Sequence, residues 1–254
     1  MRQKYCLITN DDGWDSPGLA VLRESVEPFV PLVVAPEGER SAISHAINLS
    51  SPVRVRKREI KGVIHYICTG TPVDCIKLGV KVLSKNRPSL VLSGINIGPN
   101  LGMDLLYSGT VSAAMEGAIL GLPAVALSLA GYDHLFWNTA SQVVRLIISL
   151  CLSSKWPADT LLNVNIPNVA LTELRGYRVT YQSESRFQES YELRHDPRGR
   201  PYYWLKGRFK GKKTEPGSDV EAVLTNFVSI CPLRLNLTHY QFLKTLKKKL
   251  ATLI

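Results

Sequence analysis

The chain has no apolar run long enough to cross a bilayer. Its longest uncharged apolar stretch, Gly117 to Ala130, is broken by Gly121 and Pro123 and falls short of the roughly 20 residues a spanning helix needs. It has no leader-like segment either, since Met1-Arg2-Gln3-Lys4 passes straight into a short strand-like run. Cysteine is sparse and unpatterned. The five cysteines are an odd number, lie far apart without a Cys-x-x-Cys, and in three cases sit inside apolar strand-like runs. They read as reduced core residues of a cytoplasmic protein, neither disulfide staples nor zinc ligands. The five histidines are equally scattered and form no His-Glu-x-x-His, so zinc has no ligand set and any metal should be a hard, oxygen-seeking one. No Gly-x-Gly-x-x-Gly follows the first strand-like segment, which argues against a nicotinamide-dependent dehydrogenase. Internal repeats and low-complexity segments are absent.

What is present is an ordinary globular balance: 254 residues, 45% hydrophobic and 20% charged, enough apolar surface for one generous core. The net charge of +10 is uneven, concentrated in Arg54–Lys61 and Lys244–Lys249. A run such as Arg54-Val55-Arg56-Lys57-Arg58 reads as the wet face of an edge strand, where charge blocks edge-to-edge pairing. With no interleaved aromatic platform, it does not argue for specific nucleic-acid binding.

From residue 4 to about 165, short apolar runs alternate with segments of helical periodicity. Strands are expected at Tyr5–Thr9, Leu32–Ala35, Leu90–Ser93, Ala124–Leu127 and Leu161–Val164; helices at Pro17–Glu27, Val73–Leu83, Thr110–Leu120 and Thr139–Leu150. This is the pattern of an α/β fold, a Rossmann-like, mostly parallel sheet with helices on both faces. Val53–Ile67 turns at Lys61-Gly62 and reads as a hairpin beside the sheet. From Gly176 to Lys213 the composition shifts to Tyr, Arg, Gly and Pro, suggesting an extended arm, and Tyr240–Leu250 reads as an amphipathic helix. We expect one domain over 1–254, with a core to about residue 170 and a C-terminal arm from 171 used in oligomer contacts.

The chemistry concentrates at strand ends. Asp11 and Asp12 stand side by side where the first strand meets the turn Asn10-Asp11-Asp12-Gly13. Adjacent carboxylates repel and raise each other's pKa, so the pair calls for a metal or a proton; an Asx-turn before a helix with Pro17 at its first position is the structural alternative. In an open parallel sheet, ligands bind beyond the C-terminal strand ends where the strand order reverses. Ser93-Gly94-Ile95-Asn96 and Glu37–Ala42 would open on the same crevice. Asn96 and Ser41 then join the two aspartates in an incompletely filled oxygen site. Ser108-Gly109-Thr110 enters a helix, where exposed N–H groups suit a phosphate, although plain capping by Ser108 or Thr110 explains the same residues. Gly70-Thr71-Pro72 is similarly read as a capped helix start that could also close the crevice.

Taken together these segments resemble the SurE survival proteins, metal-dependent 5′-nucleotidases. The matching residues are Thr9–Gly13 with Pro17-Gly18, Val34–Pro36 with Arg40-Ser41, Gly70–Pro72 with Asp74-Cys75, and Ser93–Gly102. They continue through Tyr107–Val111, Asn163–Pro167 and Ser218–Val223. The resemblance implies divalent-metal ligands at Asp11, Asp12, Ser41 and Asn96, a phosphate-binding turn at Ser108-Gly109-Thr110, and dimer or tetramer assembly through the C-terminal arm. One departure is visible: the family commonly has Gly after the loop serine, and this chain has Ala42, whose methyl restricts the loop if positive φ is needed there. His45 falls near the expected site, as a loop or core histidine or as a phosphate contact.

The resulting expectation is a 5′-nucleotidase hydrolysing nucleoside 5′-monophosphates, with 3′-nucleotides and short polyphosphate as further substrates. It would use one divalent ion per subunit (Mg²⁺ or Mn²⁺, with Ca²⁺ admissible), and Asp11 or Asp12 would position or deprotonate water. An aspartyl-phosphate mechanism is a rival, although such enzymes commonly separate the two aspartates by one residue. A nucleotide- or polyanion-binding module without turnover is the alternative from another class, and for it the paired carboxylates have no use.

Overall fold

The computed structural model describes residues 4–153, 155–209 and 215–253; positions 210–213 of the expected arm and the first three residues lie outside them. In chain order the described elements are β1 (Tyr5–Thr9), α1 (Pro17–Glu24), β2 (Val30–Pro36), β3 (Val55–Ile60), β4 (Val63–Cys68), α2 (Pro72–Leu78), β5 (Leu90–Ile97), α3 (Gly109–Ile119) and β6 (Ala124–Ala130). They continue with α4 (Trp137–Ser153), β7 (Thr160–Pro167), β8 (Gly176–Val179), β9 (Phe187–His195), β10 (Pro201–Phe209), α5 (Asp219–Leu224), β11 (Phe227–Arg234) and α6 (Tyr240–Ala251).

Nine strands form one sheet in the order β3-β4-β2-β1-β5-β6-β7-β11-β8. β1 lies parallel between β2 and β5, with Leu7 opposite Leu32 on one side and Val91 on the other. The chain therefore adds strands first to one side of β1 and then to the other, and the order reverses between β1 and β5. Successive side chains of these strands point to opposite faces, which divides the apolar core into two layers. Leu19 and Leu22 of α1 pack with Val143, Val144 and Ile147 of α4 on one face; Cys75 and Ile76 of α2 pack with Val111, Ala113 and Ala114 of α3 on the other. This is the Rossmann-like α/β arrangement, with helices on both faces of a mostly parallel sheet.

Helix starts follow their sequence signals. Ser16 accepts from the Leu19 N–H ahead of Pro17, and Thr71 and Asp74 form a reciprocal capping box at α2. The predicted Val53–Ile67 hairpin is β3 and β4, turning through Lys61 and Gly62, both with positive φ. Most boundaries shift by one to three residues, and three differences are larger. The expected helix Val73–Leu83 is α-helical only to Leu78 and continues as a π turn over Gly79–Leu83. The third expected strand runs on to Ile97 through a register shift between Ser93 and Asn96, so Asn96 lies within β5. The sheet also does not end near residue 170, because β11 pairs antiparallel with β7 and parallel with β8. Pro232 sits opposite Leu162 in that strand, and an internal proline is a signal against a strand. The arm itself is the separate antiparallel pair β9–β10, and α6 has no buried residue.

Arg23 of α1 and His65 of β4 form a buried polar contact beneath the first core layer, 6% and 2% exposed. Arg23 Nη1 donates to His65 Nε2 at 3.1 Å, which requires a neutral ring. Burial, reinforced by the guanidinium, lowers the imidazole pKa to about 4. An unfolded histidine titrates near 6.5, so the unfolded state binds more protons as pH falls from 6.5 towards 4, and stability is lost over that window. Urea unfolding should show this single group removing about 2 kcal/mol between pH 7 and pH 5. A His65→Gln variant, which keeps an acceptor but does not titrate, should show a correspondingly smaller loss over the same interval.

Candidate active site

The loops after β1 and β2 are fastened together before any functional side chain is placed. Asn10, fully buried, donates through Nδ2 to the Gly13 carbonyl and the Ser16 hydroxyl at 2.9 and 2.7 Å. The Trp14 N–H reaches the Pro36 carbonyl, and the Arg40 N–H reaches the Asp11 carbonyl at 2.7 Å. Asp11 and Asp12 thus project from a turn braced on both sides.

The two carboxylates have different surroundings. Asp11, 3% exposed, faces the N-terminus of α3, where its carboxylate accepts from the Thr110 hydroxyl, and the backbone N–H groups of Gly109 and Thr110 lower its pKa. Burial raises its pKa and these donors pull it partly back. A methyl on Gly109 would come within 2.8 Å of the Asp11 Cβ, so the close approach of helix to carboxylate requires glycine there. Asp12 receives one backbone donor, the Ile97 N–H. Its Oδ2 is buried with no partner among the described residues. Burial, then repulsion from Asp11 and Glu39, pushes its pKa up to about 7.

Around Asp12 a cavity of about 490 Å³ opens at the strand-order reversal, lined by Asp11, Asp12, Ser41, Asn96 and Ser108 together with Glu39, Ala42, Ile97, Asn100, Asp104, Tyr107 and Tyr132. Asn96 commits its amide nitrogen to the Ile97 and Gly98 carbonyls at 3.3 and 2.8 Å, leaving its oxygen as the end available to a ligand. Ser41 donates to Glu39 Oε1 at 2.8 Å, which frees the hydroxyl lone pairs. Ser108 caps α3 by accepting from the Val111 N–H. Of the residues expected at the site, Asp11, Asp12, Ser41, Asn96 and Ser108 meet on one wall. Gly109 and Thr110 lie behind Asp11 and hold it. The Thr69–Thr71 segment is not on the wall, and His45 pairs instead with Glu116 at 2.9 Å, a buried carboxylate that also receives Lys77 at 2.7 Å.

Among the described residues no group of three or more His, Cys, Asp or Glu side chains is disposed to hold a metal. The cavity set is of another kind: two carboxylates, one hydroxyl and one amide oxygen. A buried carboxylate oxygen without a donor, and a neighbouring pair whose ionisation burial opposes, lack positive charge at that point. Those donors fit a hard divalent cation with positions left open.

The family model described as "Survival protein SurE" matches residues 6–189. The chain belongs to the SurE family. Relatives named "5′-nucleotidase SurE" from Aquifex aeolicus and Alkaliphilus metalliredigens are each 42% identical, over 243 and 245 residues; both matches cover 95% of this chain and 96% of the relative. The crystal structure of the SurE protein from Aquifex aeolicus matches with a TM-score of 0.85 at 41% identity, covering 96% of this chain and 98% of that one.

Several lining residues escaped sequence reasoning. Asn100 is held by a buried amide cluster: its N–H donates to Asn165 Oδ1 and its side chain to Ser128, while Asn163 and Asn165 both donate to its carbonyl at 2.8 to 3.0 Å. Two asparagines at alternate positions of an apolar strand were the available signal. Glu39 falls in the Glu37–Ala42 loop expected at the crevice and Tyr107 in the matched Tyr107–Val111 segment, whereas Asp104 and Tyr132 carry no local signal, because loop side chains become neighbours only through the fold.

The loop departure at Ala42 is realised in the backbone, since Ala42 and Ser44 both sit at φ 55. A non-glycine residue in that region costs about 1 kcal/mol, so Ala42→Gly should leave global stability unchanged or raise it by up to that amount in urea unfolding, despite the added unfolded-state freedom. The Asp12 environment gives a stronger effect. Its folded pKa lies above the unfolded value, so between pH 4 and pH 7 the native state loses stability as pH rises, and the deficit persists above that. In chelator at pH 8, Asp12→Asn should therefore be more stable than the parent by about 2 kcal/mol, with the two unfolding curves converging near pH 4.

Proposed function

We propose that this protein is a 5′-nucleotidase, a divalent-metal-dependent phosphomonoesterase that releases phosphate from nucleoside 5′-monophosphates. The observation that carries the reading is the buried, unpartnered Oδ2 of Asp12 beside Asp11 in the lining of a cavity at the strand-order reversal. Asp11, Asp12, Ser41 and Asn96 hold the ion. When bound, a divalent cation supplies Lewis acidity to a phosphoryl oxygen and lowers the pKa of water. Asp12, whose Oδ2 has no protein partner among the described residues, orients the attacking water and takes its proton. Asn96 and Ser108 face the phosphoryl oxygens. Gly109 and Thr110 act through Asp11, whose orientation they fix. The reading extends to 3′-nucleotides and short polyphosphate as secondary substrates, and to Mg²⁺ or Mn²⁺ as the ion, one per subunit.

The same reading assigns the arm to assembly as a homodimer or homotetramer. Tyr191, Leu193, Tyr203, Trp204 and Leu205 of β9–β10 and Phe242, Leu246 and Leu250 of α6 are exposed, and apolar surface of that extent calls for cover. Static light scattering at low micromolar concentration should give a mass of two or four subunits. The five free cysteines, four of them buried, accord with a cytoplasmic, reducing setting; no helix among the described residues is long and apolar enough to cross a membrane.

Phosphate release from 5′- and 3′-nucleotides and short polyphosphate should vanish in chelator and return with Mg²⁺ or Mn²⁺, with 5′-monophosphates turned over best. Asp12→Asn should lower kcat by about 100-fold or more while circular dichroism remains that of the parent. Folded protein that releases no phosphate with any divalent ion would favour a binding module without turnover.

A further inference from the structure

The cavity is much larger than a phosphate group requires. At about 490 Å³ it falls in the range that encloses an organic ligand of several rings, and its lining is uneven. The Asp11 and Asp12 carboxylates, Asn96 and Ser108 supply polar groups to it. Among the residues completing the lining are two tyrosines, Tyr107 and Tyr132, whose side chains are 59% and 72% exposed. Neither ring has an aromatic, cationic or hydrogen-bonding partner among the described residues. Large exposed aromatic side chains in the lining of a polar pocket present ring faces that a flat apolar ligand can cover.

Both rings are tied to the residues that hold the polar end. Tyr107 immediately precedes Ser108 and closes a 3-10 turn over Gly102–Tyr107, and its carbonyl accepts from the Ser44 N–H in the Ser41 loop at 3.0 Å. Tyr132 lies directly on the backbone of Gly98, where an added Cβ would stand 2.7 Å from its ring and φ is +98. Gly98 in turn accepts from the Asn96 side chain at 2.8 Å. Glycine at that position therefore lets one aromatic ring rest on the segment that orients Asn96. Both rings therefore line the same cavity as the polar residues and contact the segments that carry Asn96 and Ser108.

We infer that Tyr107 and Tyr132 form an aromatic subsite that selects phosphate esters carrying a nucleobase by stacking on the base face. This rests on the phosphomonoesterase reading for the polar end and names what occupies the remainder of the cavity. Because every base offers a π face, stacking favours nucleotides over sugar phosphates with little discrimination among bases.

The deciding measurement is the ratio of kcat/KM for 5′-AMP to that for ribose 5-phosphate, which differ only by the base, in wild type, Tyr107→Ala, Tyr132→Ala and the two Tyr→Phe variants. The ratio should fall about tenfold or more on Tyr132→Ala, fall in the same direction on Tyr107→Ala, and be retained by the Phe variants, which keep the ring. Ratios within twofold of wild type in both Ala variants would overturn the subsite while leaving the nucleotidase reading standing. Should the wild type turn over neither ester, the nucleotidase reading falls, and calorimetric binding of adenosine decides the subsite alone. Weakening by tenfold in Tyr132→Ala supports it, and equal binding overturns it.

Discussion

The site depends on a single electrostatic arrangement: Asp11 sits on the N-terminus of α3. An aspartate with 3% exposure would be expelled or neutralised in an apolar interior, but here the Thr110 hydroxyl donates to it at the positive end of a helix whose first backbone N–H groups favour its charge. That contact fixes the start of α3 against the end of β1. At the helix end that would face a phosphate, the Thr110 hydroxyl is given to the protein's own carboxylate. Asp12, one residue on, has no such compensation, and the contrast between the two neighbours turns a sheet edge into a site poised for a cation.

The strand-order reversal explains why the remaining donors arrive at that spot. β1 delivers the aspartates, β5 extends through its register shift to deliver Asn96, and the loop after β2 delivers Glu39 and Ser41. None of these residues is close to the others in sequence except the aspartate pair. Their convergence follows from parallel strands ending at one level, with ligands bound beyond their C-terminal ends. The amide cluster of Asn100, Asn163 and Asn165 performs the same service from the other side, linking the cavity floor to β7 through hydrogen bonds that exclude alternative loop positions.

Much of this was legible in the sequence, and the reasons are specific. The β1 run, the Pro17 and Pro72 helix starts and the Lys61-Gly62 turn are local signals, each set by backbone preferences within a few residues, and they fall where expected. Asp11, Asp12, Ser41, Asn96 and Ser108 were identifiable because strand-end polar residues in a doubly wound pattern share a crevice. What could not be read was competition between partners. Whether the α3 N–H groups serve a substrate or Asp11, and whether His45 faces the cavity or Glu116, depends on rotamers and on elements 70 to 100 residues away. The strand β11 was hidden by Pro232, a local rule overridden by its neighbours in the sheet.

The return of the chain to the sheet at β11 has a further consequence. Just before that strand, Asp219 is fully buried and accepts from the N–H groups of Gly102 and Ser183 at 2.9 and 3.0 Å. Gly102 begins the turn that carries Asp104 and Tyr107 to the cavity. A residue close to the end of the chain thus holds in place a loop from its middle. During synthesis, the halves of the sheet on either side of β1 can pair as they leave the ribosome, but the Asp219 anchor of this loop is added only once residue 219 has been translated. The nascent protein therefore acquires its scaffold before its pocket, and an incompletely synthesised chain lacks the clasp that shapes the cavity.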